Sequence, residues 1–171
     1  TACQESKNTS LVALDLACTQ GSAEACDDAG MMHLAENTSR AVQHARTSFA
    51  RACEIERRYC GALGVMNYQG LGGPRDLGRA RRLFDEACPD NPEACTHLGA
   101  LYAVGEGVER DSARAHVLWE QACPADAAAC HNLAGSHLHG VGVDRDPVKA
   151  RVYYAKACAT GYQPACRWGS E

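Results

Sequence analysis

The sequence predicts an all-α fold, an α-solenoid of helix-turn-helix repeats joined by disulfide bonds. Three observations predict it: a fixed period in the cysteines, apolar residues at helical spacing, and glycine turns that recur in step with the cysteines. The chain has 171 residues, of which 11 are cysteine. Its formal net charge of −4 provides no basic field for nucleic acid, and no apolar run is long enough to span a bilayer.

The cysteines form two interleaved series. Members of the first series lie 35 residues apart, and each member of the second follows one of the first by seven or eight residues. Other residues repeat with the same period: an alanine precedes every cysteine of the first series. An aromatic column, which we interpret as core, lies four residues before the last four of these cysteines: Phe49, Phe84, Trp119 and Tyr154. A fixed period of this length is typical of a solenoid array. The first series is Cys18, Cys53, Cys88, Cys123 and Cys158, and the second is Cys26, Cys60, Cys95, Cys130 and Cys166.

Each period is interpreted as two helices separated by a turn. Residues 93–104 carry apolar side chains at helical spacing, and the glycines of 105–108 interrupt the pattern because glycine favours turn conformations. Asp111 then caps a second helix that runs to Cys123. In order, we expect an N-terminal capping helix at about 9–19, repeats at about 23–56, 57–91, 92–126 and 127–161, and a C-terminal capping helix at about 163–169, all within one domain over 1–171.

The two cysteine series predict five disulfide bonds. In one continuous helix, residues seven apart lie roughly 10.5 Å apart along the axis, beyond the ~7 Å limit for bridged Cα atoms. Turn-prone segments such as 89–92 separate the paired cysteines, so the chain reverses and the two meet at a corner. Metal binding is the alternative, but thiol pairs at this interval would scatter the ligands too widely for shared tetrahedral sites. The predicted bonds are Cys18–Cys26, Cys53–Cys60, Cys88–Cys95, Cys123–Cys130 and Cys158–Cys166.

Cys3 belongs to neither series. The start Thr1-Ala2-Cys3 is similar to the end of a bacterial lipobox, in which the cysteine becomes lipidated, and a free or artefactual thiol is the alternative. So many predicted disulfides indicate an oxidising compartment. We therefore expect a periplasmic or secreted protein, and lipidation of Cys3 would anchor it to a membrane.

The repeat unit resembles a known family. The motif Leu-Gly-x-Leu-Tyr-x-x-Gly-x-Gly-Val at 98–108, followed by Trp-x-x-Ala-Cys at 119–123, is similar to the Sel1-like repeat, a relative of the tetratricopeptide repeat. The added cysteine pair resembles the Helicobacter cysteine-rich proteins. The resemblance covers residues 9–169 and implies a right-handed superhelix whose first helices line a concave groove, a secreted or periplasmic location, and a role in protein interaction. For some members it also implies β-lactam binding or weak β-lactamase activity, and one mitochondrial relative is linked to haem.

Candidate binding residues follow from the helical geometry of this implied groove. If the second-series cysteines face the neighbouring helix, positions one, two, five, eight and nine residues later point away from the core. The selected side chains are mostly polar, which predicts an extended or polar segment of a protein or peptide as the ligand. The groove candidates are Asp27, Asp28, Tyr68, Gln69, Thr96, His97, His131, Asn132 and His139.

The remaining polar residues predict no catalytic centre. The seven histidines contain no His-x-x-x-His pair, the spacing that places two metal ligands on one helix face. Ser136 precedes His137, but adjacent helical residues diverge, and the serine-x-x-lysine motif of penicillin-binding enzymes is absent. We expect a monomer with no cofactor, no metal and no nucleic-acid partner.

Three alternatives to a simple binding module stay open at this point. The first is a binder of β-lactams or peptidoglycan fragments with weak hydrolase activity. The second is a haem or metal carrier that uses His97 and His131. The third is an immunity-type lipoprotein that blocks a secreted effector.

Overall fold

The computed structural model describes the backbone of residues 2–168 and the side chains of residues 10–168. These residues form helices and turns and contain no strand. The chain divides into two compact units, one ending at Asp90 and the other beginning at Asn91. The first unit contains α1 (Ala2–Thr19), α2 (Ala23–Ala35), α3 (Ser39–Ile55), a 3-10 turn (Arg57–Tyr59), α4 (Cys60–Gln69) and α5 (Leu77–Ala87). The second contains α6 (Pro92–Val104), α7 (Ser112–Ala122), α8 (Ala127–His139), α9 (Pro147–Ala159) and α10 (Gln163–Cys166).

The two terminal helices differ from their expected bounds. Helix α1 begins at Ala2 rather than near residue 9, because residues 2–9 contain no glycine or proline to interrupt a helix. Helix α10 ends at Cys166, and residues 169–171 lie outside the described residues. The side chain of Cys3 also lies outside them, so its lipidation stays a prediction, as do the repeat boundaries and the single domain.

A glycine turn reverses the chain within each of the last three repeats. Gly105 ends α6 in the left-handed conformation, with φ of 78°, which costs glycine no steric strain. Asp111 caps α7 through the N–H of Arg114, and its own N–H donates to the carbonyl of Tyr102 at 2.9 Å. Gly70 and Gly140 likewise end α4 and α8 in the left-handed conformation, and Asp76 and Asp146 cap α5 and α9. The first repeat lacks these glycines, and there Asn37 takes the left-handed φ of 50°.

The aromatic column supplies the core of each repeat by packing on small residues of the first helix. The rings of Phe84 and Trp119 lie against Gly64 and Gly99, where an added Cβ would lie 2.7 and 2.5 Å from the ring. The Trp119 indole N–H also donates to the carbonyl of Thr96 at 3.1 Å, which fixes the ring. Small residues therefore let the two helices of a repeat approach closely.

Disulfide bonds join consecutive helices at the corners between repeats. The described bonds have Cα–Cα distances of 4.3 to 4.6 Å, well below the ~7 Å limit for bridged cysteines. Cys88 and Cys95 are also disulfide-bonded, and their pairing with each other stays a prediction. Four of the five predicted pairs are thus present: Cys18–Cys26, Cys53–Cys60, Cys123–Cys130 and Cys158–Cys166.

Candidate functional site

The first candidate pocket lies at the amino-terminal ends of α6 and α8, and we call it the N-terminal pocket. It has a volume of about 450 Å³. Asn91 and Asp126 cap the two helices by accepting the N–H groups of Ala94 and Ala128, so the two helix starts present equivalent polar ends. The lining residues are Asn91, Pro92, Glu93, Thr96, His97, Ala125, Asp126 and Ala128.

Two of the predicted groove residues line the N-terminal pocket and play different roles there. Thr96 is buried, and its hydroxyl donates to the Asp126 carboxylate, which ties α6 to the start of α8. His97 is more exposed and faces Glu93, with 3.8 Å between Nε2 and Oε1. The hydrogen bond from His97 lowers the pKa of Glu93, although burial opposes the shift. Glu93 and His97 are therefore the polar groups that a ligand reaches.

The second candidate pocket lies along α8, and we call it the α8 pocket. It has a volume of about 230 Å³ and includes three more predicted groove residues, His131, Asn132 and His139. The imidazole of His131 lies 5.2 Å from the Tyr154 ring, measured between centroids, and burial lowers its pKa. The Nδ1 atom of His131 is buried without a hydrogen-bond partner. The lining residues are Trp119, His131, Asn132, Gly135, Ser136, His139 and Val141.

The other four groove candidates line none of the three described pockets. Asp28 and Gln69 are exposed, and Asp27 is half-buried. Tyr68 lies beneath the Arg75 guanidinium, whose carbon is 5.0 Å from the ring centroid. The pocket of the first unit, about 420 Å³ in volume, has other lining residues: Asp15, Cys18, Thr19, His33, Gln43, His44, Thr47, Ser48 and Arg51.

The sequence reasoning missed the polar group in the first-unit pocket. His33 is buried, and its Nε2 lies 3.5 Å from an Asp15 carboxylate oxygen. The ring of His44 lies 5.2 Å from that of His33. These side chains come from α1, α2 and α3, so no spacing within one helix signals their association.

The N-terminal pocket and the α8 pocket neither direct the Ser136 hydroxyl at a base nor bring His97 together with His131. Ser136 is buried and donates to the carbonyl of Asn132 within α8, so its hydroxyl is not directed at a base. His97 and His131, the candidates for haem or metal, line different pockets. Cys53, Cys60 and Glu86 lie close together, but the bonded sulfurs are not thiolates and cannot act as such ligands.

Disulfide-linked helix pairs with polar pockets on their first helices define a helical-repeat binding protein. The chain belongs to the Sel1 repeat family, whose model matches residues 59–88, 92–123 and 127–162. Sel1 repeats are protein-interaction modules. No curated protein matches the sequence significantly.

Solved structures share this fold. A protective antigen present in uropathogenic Escherichia coli strains, which displays an SLR fold, matches with a TM-score of 0.77 and 25% identity over 91% of this chain and 34% of that chain. A Sel1 repeat protein from Oxalobacter formigenes matches with a TM-score of 0.76 and 23% identity, over 85% of this chain and 61% of that chain. Helicobacter pylori cysteine rich protein B matches with a TM-score of 0.60 and 26% identity, over 76% of this chain and 96% of that chain.

These comparisons confirm two predictions, the all-α disulfide-bridged solenoid and the cysteine-rich type of Sel1 repeat protein. The chain spans about a third of the antigen and less than two thirds of the Oxalobacter protein. None of the described helices combines the length and hydrophobicity that crossing a bilayer requires.

Proposed function

We propose that the chain is an extracytoplasmic module that binds an extended, polar segment of a partner protein along α6 and α8. One observation carries the proposal: five of the predicted groove residues line two pockets on these helices, which are the first helices of consecutive repeats. The five residues are Thr96, His97, His131, Asn132 and His139.

The spacing of the pockets suits an extended ligand. His131 follows Asp126 by five residues, which corresponds to roughly 7.5 Å along a helix. An extended chain rises about 3.3 Å per residue, so two or three residues of a ligand cover that distance. The Asn132 amide supplies both donors and an acceptor to such a backbone, and Glu93 with His97 supplies charge.

The disulfides support the proposed compartment. Four described bonds, together with the bonded state of Cys88 and Cys95, would not persist in a reducing cytosol. We propose a periplasmic or secreted location on this basis. A lipid on Cys3 would tether the module to a membrane, and mass spectrometry of the native N-terminal peptide tests that part of the proposal.

Peptide selection tests the binding function directly. Linear random peptides displayed on phage are selected on the oxidised protein, and the affinity of enriched peptides is measured by fluorescence anisotropy. We expect His97→Ala and Asn132→Ala each to weaken binding by about tenfold, since each removes a hydrogen-bonding partner. Gln121→Ala is the control, because Gln121 is exposed on α7 and lines neither pocket. Equal affinity for the His97→Ala/Asn132→Ala double variant and for wild type would contradict the proposal.

A further inference from the structure

A buried histidine pair lies where α7, α8 and α9 pack together. His116 and His137 are only 8% and 4% exposed, and their ring centroids are 5.0 Å apart in an edge-to-face arrangement. The Nδ1 atom of each ring is buried without a hydrogen-bond partner. Because an edge-to-face pair directs one ring's edge at the face of the other, the two nitrogens do not converge on a shared ligand. Buried polar atoms are usually satisfied, so this pair requires an explanation.

The first unit carries a different pair at the same positions. Arg46 lies seven residues before Cys53 and Asn67 seven after Cys60, as His116 and His137 lie relative to Cys123 and Cys130. The Arg46 guanidinium donates to Asn67 Oδ1 at 2.8 Å, and Asn67 Nδ2 donates to the carbonyl of Leu63 at 2.7 Å. A hydrogen-bonded Arg46–Asn67 pair thus joins α3 to α4, whereas a pair of imidazoles joins α7 to α8.

The surroundings oppose protonation of His116. Burial lowers the pKa of His116, and the nearby His137 and Lys149 lower it further. Glu120 raises it from 3.7 Å away, but the Glu120 side chain is about half exposed and water screens its charge. From α9, the Tyr153 ring stacks on His137 at 5.6 Å between centroids.

The titratable groups of α6, which packs on α7, interact elsewhere. Glu93 faces His97 in the first turns of the helix. Tyr102 lies beneath the Arg114 guanidinium, whose carbon is 4.4 Å from the ring centroid. Glu120 is therefore the one carboxylate with a described interaction with the pair among the residues of α6 to α9.

We propose that the His116–His137 pair is an acid-sensitive joint, and that protonation of the pair loosens the packing of α8 against α7 and α9. An ordinary histidine changes its charge near pH 6.5. Below that value an opened or unfolded state takes up a proton that the buried His116 ring resists, so stability is lost as the pH falls. Each such proton raises the equilibrium constant for opening by up to about tenfold for each unit by which the pH falls.

The disulfides determine which helix interface can open on protonation. Cys123–Cys130 holds α7 to α8, and Cys158–Cys166 holds α9 to α10. None of the described bonds joins α8 to α9, which are connected through the Gly140 turn. Acid opening therefore separates α8 from α9, at the stack of His137 on Tyr153.

Transplanting the pair of the first unit provides the decisive variant. The oxidised full chain is unfolded in urea at about pH 7.5 and about pH 5.5, on either side of the usual histidine pKa. We expect the unfolding constant of wild type to rise by about tenfold or more on acidification, and that of His116→Arg/His137→Asn to rise several-fold less. His44→Gln, which removes an exposed histidine of α3, is the control and should follow wild type. An equal pH response in the transplanted variant and in wild type overturns the proposal.

A measurement on wild type covers the case in which the double variant does not fold. Amide hydrogen exchange and histidine ring shifts are followed by NMR over the same pH range. We expect amides of α8 and α9 to lose protection on acidification, and those of α4 and α5 to keep it. If α8 and α9 lose no more protection than α4 and α5, or if both rings of the pair titrate at the usual value near 6.5, the proposal is wrong.

Discussion

Replacing Gly99 with alanine should destabilise the protein, although alanine is the better helix former. The added Cβ would lie 2.5 Å from Nε1 of Trp119 and 2.9 Å from Cδ1, so either the ring or α6 must move. The ring is 7% exposed and is held by its hydrogen bond to the Thr96 carbonyl. It cannot move away without weakening that bond and disturbing the packing of α6 on α7.

The expected magnitude follows from three terms. Overpacking a core position costs about 1–3 kcal/mol, and lengthening the indole hydrogen bond costs up to about 1 kcal/mol. Replacing glycine with alanine within a helix stabilises the helix by about 1 kcal/mol. The net expectation for Gly99→Ala is therefore a loss of up to about 3 kcal/mol in the free energy of unfolding.

Gly135→Ala is the matched control, with an expected effect of opposite sign. The nearest neighbour of a Cβ at Gly135 is the Tyr154 hydroxyl at 3.9 Å, an ordinary contact. This variant should gain up to about 1 kcal/mol from helix propensity alone. Urea unfolding of the oxidised proteins, followed by far-UV circular dichroism, measures both. A Gly99→Ala midpoint at or above that of wild type, or a Gly135→Ala midpoint below that of Gly99→Ala, would refute the packing argument.

Three further variants test local features of the second unit. Replacing both Cys123 and Cys130 with alanine opens a loop of about eight residues and should cost about 2.5 kcal/mol in urea unfolding, a difference from wild type that vanishes when both proteins are reduced. Gly142→Ala places a Cβ against the Ser112 carbonyl at a φ of +74°, so thermal unfolding should show a loss of more than about 2 kcal/mol. Asp146→Ala removes the cap of two N–H groups and should cost about 1 kcal/mol, most of which Asp146→Asn restores.

The features that the sequence predicted well are those set by neighbouring residues. The turn at Gly105 and the cap at Asp111 need only their own residue chemistry, and both are present. The bond between Cys123 and Cys130 followed from chain reversal over seven residues. The aromatic column, exemplified by Trp119, was interpreted as core, and the ring is buried.

The features that the sequence did not predict depend on how helices stack. Helical geometry gave the outward direction of Asp28 and Gln69, but a direction does not create a concave surface, and both are simply exposed. His137 and its partner His116 lie on different helices, and in the sequence each is one histidine among seven. The equivalence with Arg46 becomes visible only when positions are counted from the cysteines in both directions.

The shortness of the cystine loops has a consequence for how the chain matures. Each described bridge spans seven or eight residues, whereas the next cysteine after Cys26 is Cys53, 27 residues further on. Loop-closure statistics favour the short ring over the longer one by about sixfold, before any native contact contributes. Oxidation is thus biased towards the native partners by proximity alone. A polypeptide that emerges amino-terminus first can close each ring in turn, without waiting for the repeats that follow.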